Sequence, residues 1–308
     1  MTTVGRLAPS PTGAQHLGNA RTYLAAWLAA RASGGRVVLR IEDIDVWRNK
    51  PDAIPQLTDD LTRLGLDWDG EPILQSMNLP AHEAALEKLQ RHELVYPCTC
   101  TRTDIETAAA APHAEHEAPP YPGTCAHRTA GDAVALTKPY AWRFRAGEAP
   151  AFDDLFRGPT ALTLADLGGD FVVWRSFGVP AYQLAVVVDD AASGVTQVVR
   201  GDDLVTSTPR QLLLYQALNL PAPRFAHVPL VVGPDGRRLA KRHGDTRLQS
   251  LWKQGIRPEA VLGLLAHSCG WTPTAEPITA KELIQRFRWD TIPKAPFATT
   301  PEMVARLG

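Results

Sequence analysis

Two separated stretches of this sequence carry the residue types that hold a polyphosphate. The first is Ala8-Pro9-Ser10-Pro11-Thr12-Gly13-Ala14-Gln15-His16-Leu17-Gly18-Asn19. Its prolines and glycines stiffen and tighten a loop that feeds a helix N-terminus, where free backbone N–H groups and the helix dipole favour an anion. His16 offers a directional donor to phosphate, and Gly18 has no side chain to obstruct a flat adenine lying against the backbone. The second is a turn, Gly233-Pro234-Asp235-Gly236, followed by the basic loop Arg237-Arg238-Leu239-Ala240-Lys241-Arg242-His243-Gly244, which could close over a triphosphate. A third constellation is sulfur. Cys98-Thr99-Cys100 with Cys125 supplies three soft ligands, and tetrahedral zinc takes four. Cys98 and Cys100 stand too close for an easy mutual disulfide, which suits a metal in a reducing compartment. Cys269, alone on a helical pattern, reads as core.

These residues need a scaffold, and the periodicity of the chain outlines one. Val4–Ala8 and Arg36–Ile44 read as strands flanking a helix over Asn19–Arg31, a βαβ unit whose helix stops at Ser33-Gly34-Gly35. Helices fit Asp52–Leu64 and Pro80–His92. The stretch Thr107–Gly123, rich in Ala, Pro, His and Glu without periodicity, reads as a surface loop. Strand-like pieces at Ala141–Arg145 and Asp170–Trp174 suggest a small inserted module. Parallel strands resume with Gln183–Val188 and Val195–Val199, then a helix over Thr208–Leu218 and a strand over Val228–Val232. Beyond Gly244 the pattern is helical through Leu251, Ala260–Ala266 and Lys281–Phe287. The expected fold is α/β: a Rossmann-like parallel sheet with an inserted zinc-bearing α+β module and a short C-terminal helical region. Its parts are 1–94 and 182–244 as two catalytic halves, 95–181 as the insertion and 245–308 as the helical region.

With 308 residues, 44% of them apolar and 21% charged, the chain can bury a large core. A net charge of -1 excludes a generally basic nucleic-acid coater, so any RNA contact must come from a local cluster such as Arg237, Arg238, Lys241, Arg242 and Arg247. Met1–Ser10 lacks the pattern of an export signal. The longest apolar stretches, Tyr23–Ala30 and Leu184–Val188, fall short of the roughly 20 residues that cross a bilayer. A soluble cytoplasmic protein without a membrane partner is expected.

The two phosphate-binding stretches together resemble the HIGH and KMSKS motifs of class I aminoacyl-tRNA synthetases. Asn19 stands at the second His of the first motif; Arg238 and Ala240 replace Lys and Ser of the second, while Lys241 keeps its principal lysine. Arg6-Leu7-Ala8-Pro9-Ser10-Pro11-Thr12-Gly13 and Arg40-Ile41-Glu42-Asp43-Ile44-Asp45 resemble the glutamyl-tRNA synthetase group almost residue for residue. That resemblance implies ATP, with Mg²⁺, on His16, Gly18, Asn19 and Lys241, His16 and Lys241 being catalytic. It implies L-glutamate in a pocket of Arg6, Leu7, Ala8, Pro9, Ser10, Glu42, Tyr182 and Arg200. Arg6 and Arg200 suit the side-chain carboxylate, since guanidinium presents paired donors to it, and Glu42 suits the ammonium. Asp43, Asp45, Asp189 and Asp190 receive no metal role. One zinc per chain is expected on Cys98, Cys100 and Cys125. The fourth ligand is either Tyr121, as in the queuosine-glutamylating branch of the group, or His127, which makes the Cys-x-His of zinc-bearing glutamyl-tRNA synthetases.

The match is best to that branch. The sequence from Lys241 to Gly308 is too short for a helical linker and an anticodon-binding module together. The resemblance therefore implies a monomer that activates glutamate without tRNA and passes it to queuosine in the anticodon stem-loop of tRNA(Asp). Two other readings stand beside it: a truncated enzyme charging tRNA(Glu), and, suggested by Asn19 and Ala240, a non-catalytic RNA-binding paralogue.

Overall fold

Val4–Leu7 forms strand β1, and Arg36–Ile41 forms β2, paired with it in parallel from Val4 opposite Arg36 to Leu7 opposite Leu39. Helix α1, Leu17–Arg31, makes the crossover. It is apolar on nearly every face because it is buried on nearly every face, with Leu17, Leu24, Trp27 and Leu28 all inside. Gly34, at φ 68°, turns the chain out of the helix, and Gly35 lies so close to the Thr3 carbonyl that a Cβ would stand 2.4 Å from it. Helix α2, Ala53–Arg63, leads to the third parallel strand β3, Ile73–Leu74, and α3 follows at Leu79–Arg91. This computed structural model describes residues 2–108, 120–237, 239 and 245–308.

The chain then changes character. Strand β4, Val95–Cys98, precedes α4, Arg102–Ala108, and pairs antiparallel with β5, Ala141–Phe144. A hairpin of β6, Phe152–Asp154, and β7, Gly158–Thr160, comes next, and β8, Phe171–Trp174, closes a three-stranded antiparallel sheet on β5.

One expectation fails at the next element. Gln183–Val188 is not a strand but the body of helix α5, Tyr182–Ala192. Leu184 to Val188 are buried on every side, so the run shows no helical period, and a continuous apolar run looks alike in a buried strand and a buried helix. The parallel pattern resumes with β9, Gln197–Gly201, helix α6, Ser207–Ala217, and β10, Arg224–Val228, in register from Gln197 opposite Arg224. Pro229, which lacks an N–H, and Leu230 separate β10 from β11, Val231–Val232, dividing the single strand expected there. Helices α7, Leu248–Lys253, α8, Pro258–Ser268, and α9, Ala280–Leu283, follow; the last stops short of the expected Phe287. Strand β12, Phe297–Ala298, pairs in parallel with β11, and α10 is Pro301–Ala305.

The two parallel units meet at β1. The Thr196 N–H reaches the Val4 carbonyl at 2.9 Å, the Val4 N–H reaches the Thr196 hydroxyl at 2.9 Å, and α1 packs across both β1 and β9. Buried Arg21 of α1 donates to the Pro229 carbonyl at 2.6 Å and to the Ser268 hydroxyl and carbonyl, fastening α8 to the sheet. The carboxyl ends of β1, β2 and β9 thus open on one crevice where strand order reverses, the usual ligand position in open α/β sheets. Among the described residues, no helix is long and apolar enough to cross a membrane.

Helix α8 lies against the chain at Glu276 so closely that a Cβ on Gly263 would sit 2.2 Å from the Glu276 carbonyl oxygen. Gly263→Ala should lower stability by about 1–3 kcal/mol in urea denaturation. Gly147→Ala, where nothing lies within 4 Å, should stay within about 0.5 kcal/mol of the parent.

Candidate active site

The crevice holds a cavity of about 710 Å³ lined by Arg6, Ala8, Ser10, His16, Gly18, Asn19, Glu42, Tyr182 and Arg200 among others. Leu7 and Pro9, expected beside them, do not line it. Leu7 is core, and the Pro9 carbonyl accepts the Glu42 N–H at 2.9 Å, which sets where Glu42 leaves the sheet. Lys241 lies outside the described residues, as do Arg238, Ala240 and Arg242.

His16 is the N-cap of α1. Its Nδ1 accepts from the Gly18 N–H at 3.1 Å and the Asn19 N–H at 3.4 Å. The proton therefore sits on Nε2, and burial, which lowers the imidazole pKa, keeps the ring in this neutral form. Asn19 answers by accepting the His16 N–H on Oδ1 at 3.1 Å, completing a capping box. The residue that departs from the HIGH pattern thus holds the histidine's backbone. A Cβ on Gly18 would meet the His16 ring at 2.9 Å, so the glycine makes room for the ring as well as for a ligand.

Behind Arg6 and Glu42, which line the cavity, Asp190 of α5 is buried against two arginines. Arg40 Nη1 lies 2.5 Å from its Oδ1, and Arg6 Nε lies 3.5 Å from the same oxygen. Arg40 Nη2 also donates to Glu42 Oε1 at 3.2 Å. Burial pushes the Glu42 carboxyl above its usual range, against the pull of Arg40 and Arg6.

Arg200 is held differently. Its guanidinium is buried, yet its hydrogen bonds among the described residues go to neutral groups: His227 Nε2 at 3.0 Å, Gln211 Oε1 at 2.9 Å, Thr208 Oγ1 at 2.7 Å and, loosely, Tyr182 Oη at 3.5 Å. Burial lowers its pKa. The second nitrogen of His227 points to Asp154 Oδ2 at 2.6 Å. A carboxylate accepts and a guanidinium donates, so His227 carries its proton on Nδ1 and offers Nε2 to Arg200. Burial lowers the His227 pKa despite the pull of Asp154. Burial alone would raise the Asp154 carboxyl, but the His227 bond and the Arg157 and Phe156 N–H groups take it below its usual range. Asp154 comes from β6, so the segment between the two parallel units reaches into the pocket's support.

Arg40, Asp190, Asp154 and His227 escape a reading of single motifs. Their signal is a charged or titratable residue inside an apolar run, as in Val38-Leu39-Arg40-Ile41, Phe225-Ala226-His227-Val228 and Val187-Val188-Asp189-Asp190. Such groups are buried only with partners. Asp189 has Gln75, Asn78 and His82, and Asp43 has the Ser76 N–H and hydroxyl.

The cysteines converge at a second place, away from the crevice. Cys98, Cys100 and Cys125 are free, their sulfurs lie within 4.8 Å of one another, and the Cys100 and Cys125 sulfurs are 3.6 Å apart. Tetrahedral zinc with bonds of about 2.3 Å sets its thiolates about 3.8 Å apart, so the cluster has the right size. Tyr121 Oη lies 3.4 Å from the Cys98 sulfur and accepts the Cys125 N–H at 2.8 Å. His127 is exposed and is not part of this group. Arg143 covers the site, stacked 3.8 Å over the Tyr121 ring with Nε donating to the Cys98 sulfur at 3.3 Å. Burial acts to raise the Cys125 thiol, but hydrogen bonds from Thr99, Cys100 and Tyr121 and the nearby Arg128 bring it down to about 7. Cys269 is separate and buried in the core.

Comparison with known proteins agrees on one family. The family described as tRNA synthetases class I (E and Q), catalytic domain, matches residues 2–304. The chain is 49% identical over 313 residues to the Glutamyl-Q tRNA(Asp) synthetase of Rhodopirellula baltica, covering 95% of each. It is 40% identical to the glutamate--tRNA ligase of Geobacter sulfurreducens, covering 96% of this chain and 63% of that one. Among solved structures, the glutamate-tRNA synthetase of Elizabethkingia anophelis superimposes with a TM-score of 0.84 at 26% identity, over 100% of this chain and 70% of that one.

The Asp154–His227 pair sets which acceptor Arg200 meets. Asp154→Asn and His227→Gln should each weaken L-glutamate binding roughly tenfold by calorimetry, the scale of one hydrogen bond to a charged group, with ATP binding unchanged.

Proposed function

The chain belongs to the class I tRNA synthetase family for glutamate and glutamine, and on that premise we propose that it activates L-glutamate with ATP and transfers it to queuosine at the wobble position of tRNA(Asp). The observation that carries the amino acid is Arg200: a buried cation on neutral partners, at the wall of the cavity that His16 faces. Among the described residues no carboxylate hydrogen-bonds this buried guanidinium, and Asp190 acts on it only through space, which favours a ligand that brings a carboxylate into contact. Arg6, only loosely held by Asp190, supplies the second cation, and Glu42 receives the ammonium. The side-chain amide of glutamine offers these arginines no charge, which is the basis of discrimination.

The chemistry needs no protein nucleophile. The glutamate α-carboxylate attacks the α-phosphorus of ATP, the bond to the β-phosphate oxygen breaks, and glutamyl-adenylate and pyrophosphate result. Catalysis is alignment plus stabilisation of developing negative charge. The Nε2–H of His16, fixed by the cap on Nδ1, donates to the phosphates, and the free N–H groups at the start of α1 support them. Lys241 would add a further cation to the phosphates, and Mg²⁺ carried in with ATP would supply charge neutralisation there. In the second step a hydroxyl of the cyclopentenediol ring of queuosine attacks the glutamyl carbonyl and AMP leaves. The carbonyl chemistry is that of ordinary tRNA charging, so no further catalytic residue is required. The acceptor assignment rests on the similarity to Glutamyl-Q tRNA(Asp) synthetases along nearly their whole length.

For the cysteine cluster the reading is one structural zinc held by Cys98, Cys100, Cys125 and Tyr121. The phenol oxygen lies against the Cys98 thiol and accepts the Cys125 backbone N–H, whereas His127 faces solvent. The ion would tie β4 to the Tyr121–Cys125 turn.

Two experiments test this. Incubated with labelled glutamate, ATP and Mg²⁺, the protein should exchange pyrophosphate without tRNA and then label tRNA(Asp) only when queuosine is present. Lys241→Ala should depress exchange far more than glutamate binding. Label at the 3′ end of tRNA(Glu) would overturn the acceptor reading. Metal analysis should find about one zinc per chain, lost in Cys98→Ser and Cys125→Ser, reduced in Tyr121→Phe and retained in His127→Ala; a stable zinc-free parent protein sinks the site.

A further inference from the structure

Beside the glutamate pocket, two aromatic rings stand in water. Trp47 is 59% and Phe177 53% exposed, and they meet edge to face with centroids 4.7 Å apart. Neither belongs to the catalytic constellation. Each occupies the third position of a closed four-residue turn: the Arg48 N–H bonds the Asp45 carbonyl at 2.8 Å, and the Gly178 N–H bonds the Arg175 carbonyl at 3.0 Å. The turns come from different parts of the chain, one following β2 and the other following β8. Arg175 and Asp45 clamp them together with a 2.5 Å ion pair. The rings are therefore displayed on a braced support rather than on loose loops.

A smaller cavity of about 150 Å³ connects this support to the main one. Ser10, Thr12, Glu42 and Tyr182 line both, while Asp45, Arg48 and Arg175 line only the smaller. Arg48 is largely exposed, and Arg175 lies 5.6 Å over the Phe177 ring. Exposed aromatic rings flanked by arginines at the mouth of a site suit an unpaired nucleobase and its phosphate, since bases stack on aromatic and guanidinium planes while the cations attract the backbone.

We propose that Trp47 and Phe177 form a stacking platform for an unpaired base of the RNA acceptor, adjacent to the nucleotide that receives glutamate. The proposal rests on the acceptor reading above and specifies how the nucleotide is delivered. The smaller cavity then marks the approach of the attacking hydroxyl, past Glu42 and Tyr182, to the activated carboxyl.

The test uses Trp47→Ala, Phe177→Ala, the double variant and Trp47→Phe. Pyrophosphate exchange with L-glutamate in the absence of tRNA should stay within about twofold of the parent in all four, showing that fold and first step survive. In the transfer step the double variant should raise KM for queuosine-containing tRNA(Asp) roughly tenfold or more, the scale of one lost base stack, with a much smaller change in kcat. Trp47→Phe, which keeps an aromatic face, should recover most of the loss. An unchanged KM in the double variant overturns the platform. Sedimentation supplies a second check: self-association of the parent that the double variant abolishes would make the pair a contact between copies and equally overturn it. Failure of the acceptor reading is separate, because the parent would then exchange pyrophosphate but charge tRNA(Glu). The same variants measured on tRNA(Glu) would still decide the platform, by a tenfold rise in KM or its absence.

Discussion

The carboxylate of Asp190 governs the arrangement of the crevice. It is buried on α5, where an unpaired charge would be untenable, and it is matched by Arg40 from β2 and Arg6 from β1. One group thereby sets the first two strands against a helix that follows them by well over a hundred residues. Its division of attention also matters. Burial works against the Arg40 charge, but Asp190 and Glu42 together raise its pKa, so that cation is fully engaged. Arg6 is held at 3.5 Å, and its buried Nε has no hydrogen bond among the described residues. Behind and along the pocket wall there is thus one arginine committed to structure, one half committed and, in Arg200, one whose hydrogen bonds among the described residues all go to neutral groups.

The phosphate side obeys a different constraint. A helix start has N–H groups to satisfy, and here the cap is an imidazole that also lines the cavity. Using Nδ1 for the cap fixes the tautomer and directs Nε2–H into the cavity. Asn19 contributes to the ring's setting through the backbone of His16. A departure from a familiar motif can therefore preserve geometry while changing which atom supplies it.

Local signals were readable in the sequence. The Gly- and Pro-rich loop before α1, the βαβ crossover and the Cys-x-Cys pair depend on neighbours a few residues apart. Glu42, Arg6, Tyr182 and Arg200 were legible through their motifs, and the structure brings them to one cavity. The supports were not legible. His227 with Asp154 and Arg40 with Asp190 are paired across long separations, and nothing in a linear pattern says which buried charge meets which. Helix α5 was misread because burial on all faces erases the period that distinguishes a helix from a strand. What separates Tyr121 from His127 likewise lies in the third dimension, since both are close to Cys125 in sequence while Tyr121 turns inward and His127 is exposed.

Asp154 has a consequence for inheritance. It lies in the segment between the two parallel units, yet through His227 it steadies an arginine of the second. A recombination event replacing that segment with a relative's would exchange more than an appendage carrying a cysteine cluster. Unless it carried an equivalent carboxylate, it would leave His227 without its second partner and free the imidazole that holds Arg200. At this point the insertion and the sheet are one mechanical unit, joined through a single carboxylate–imidazole pair.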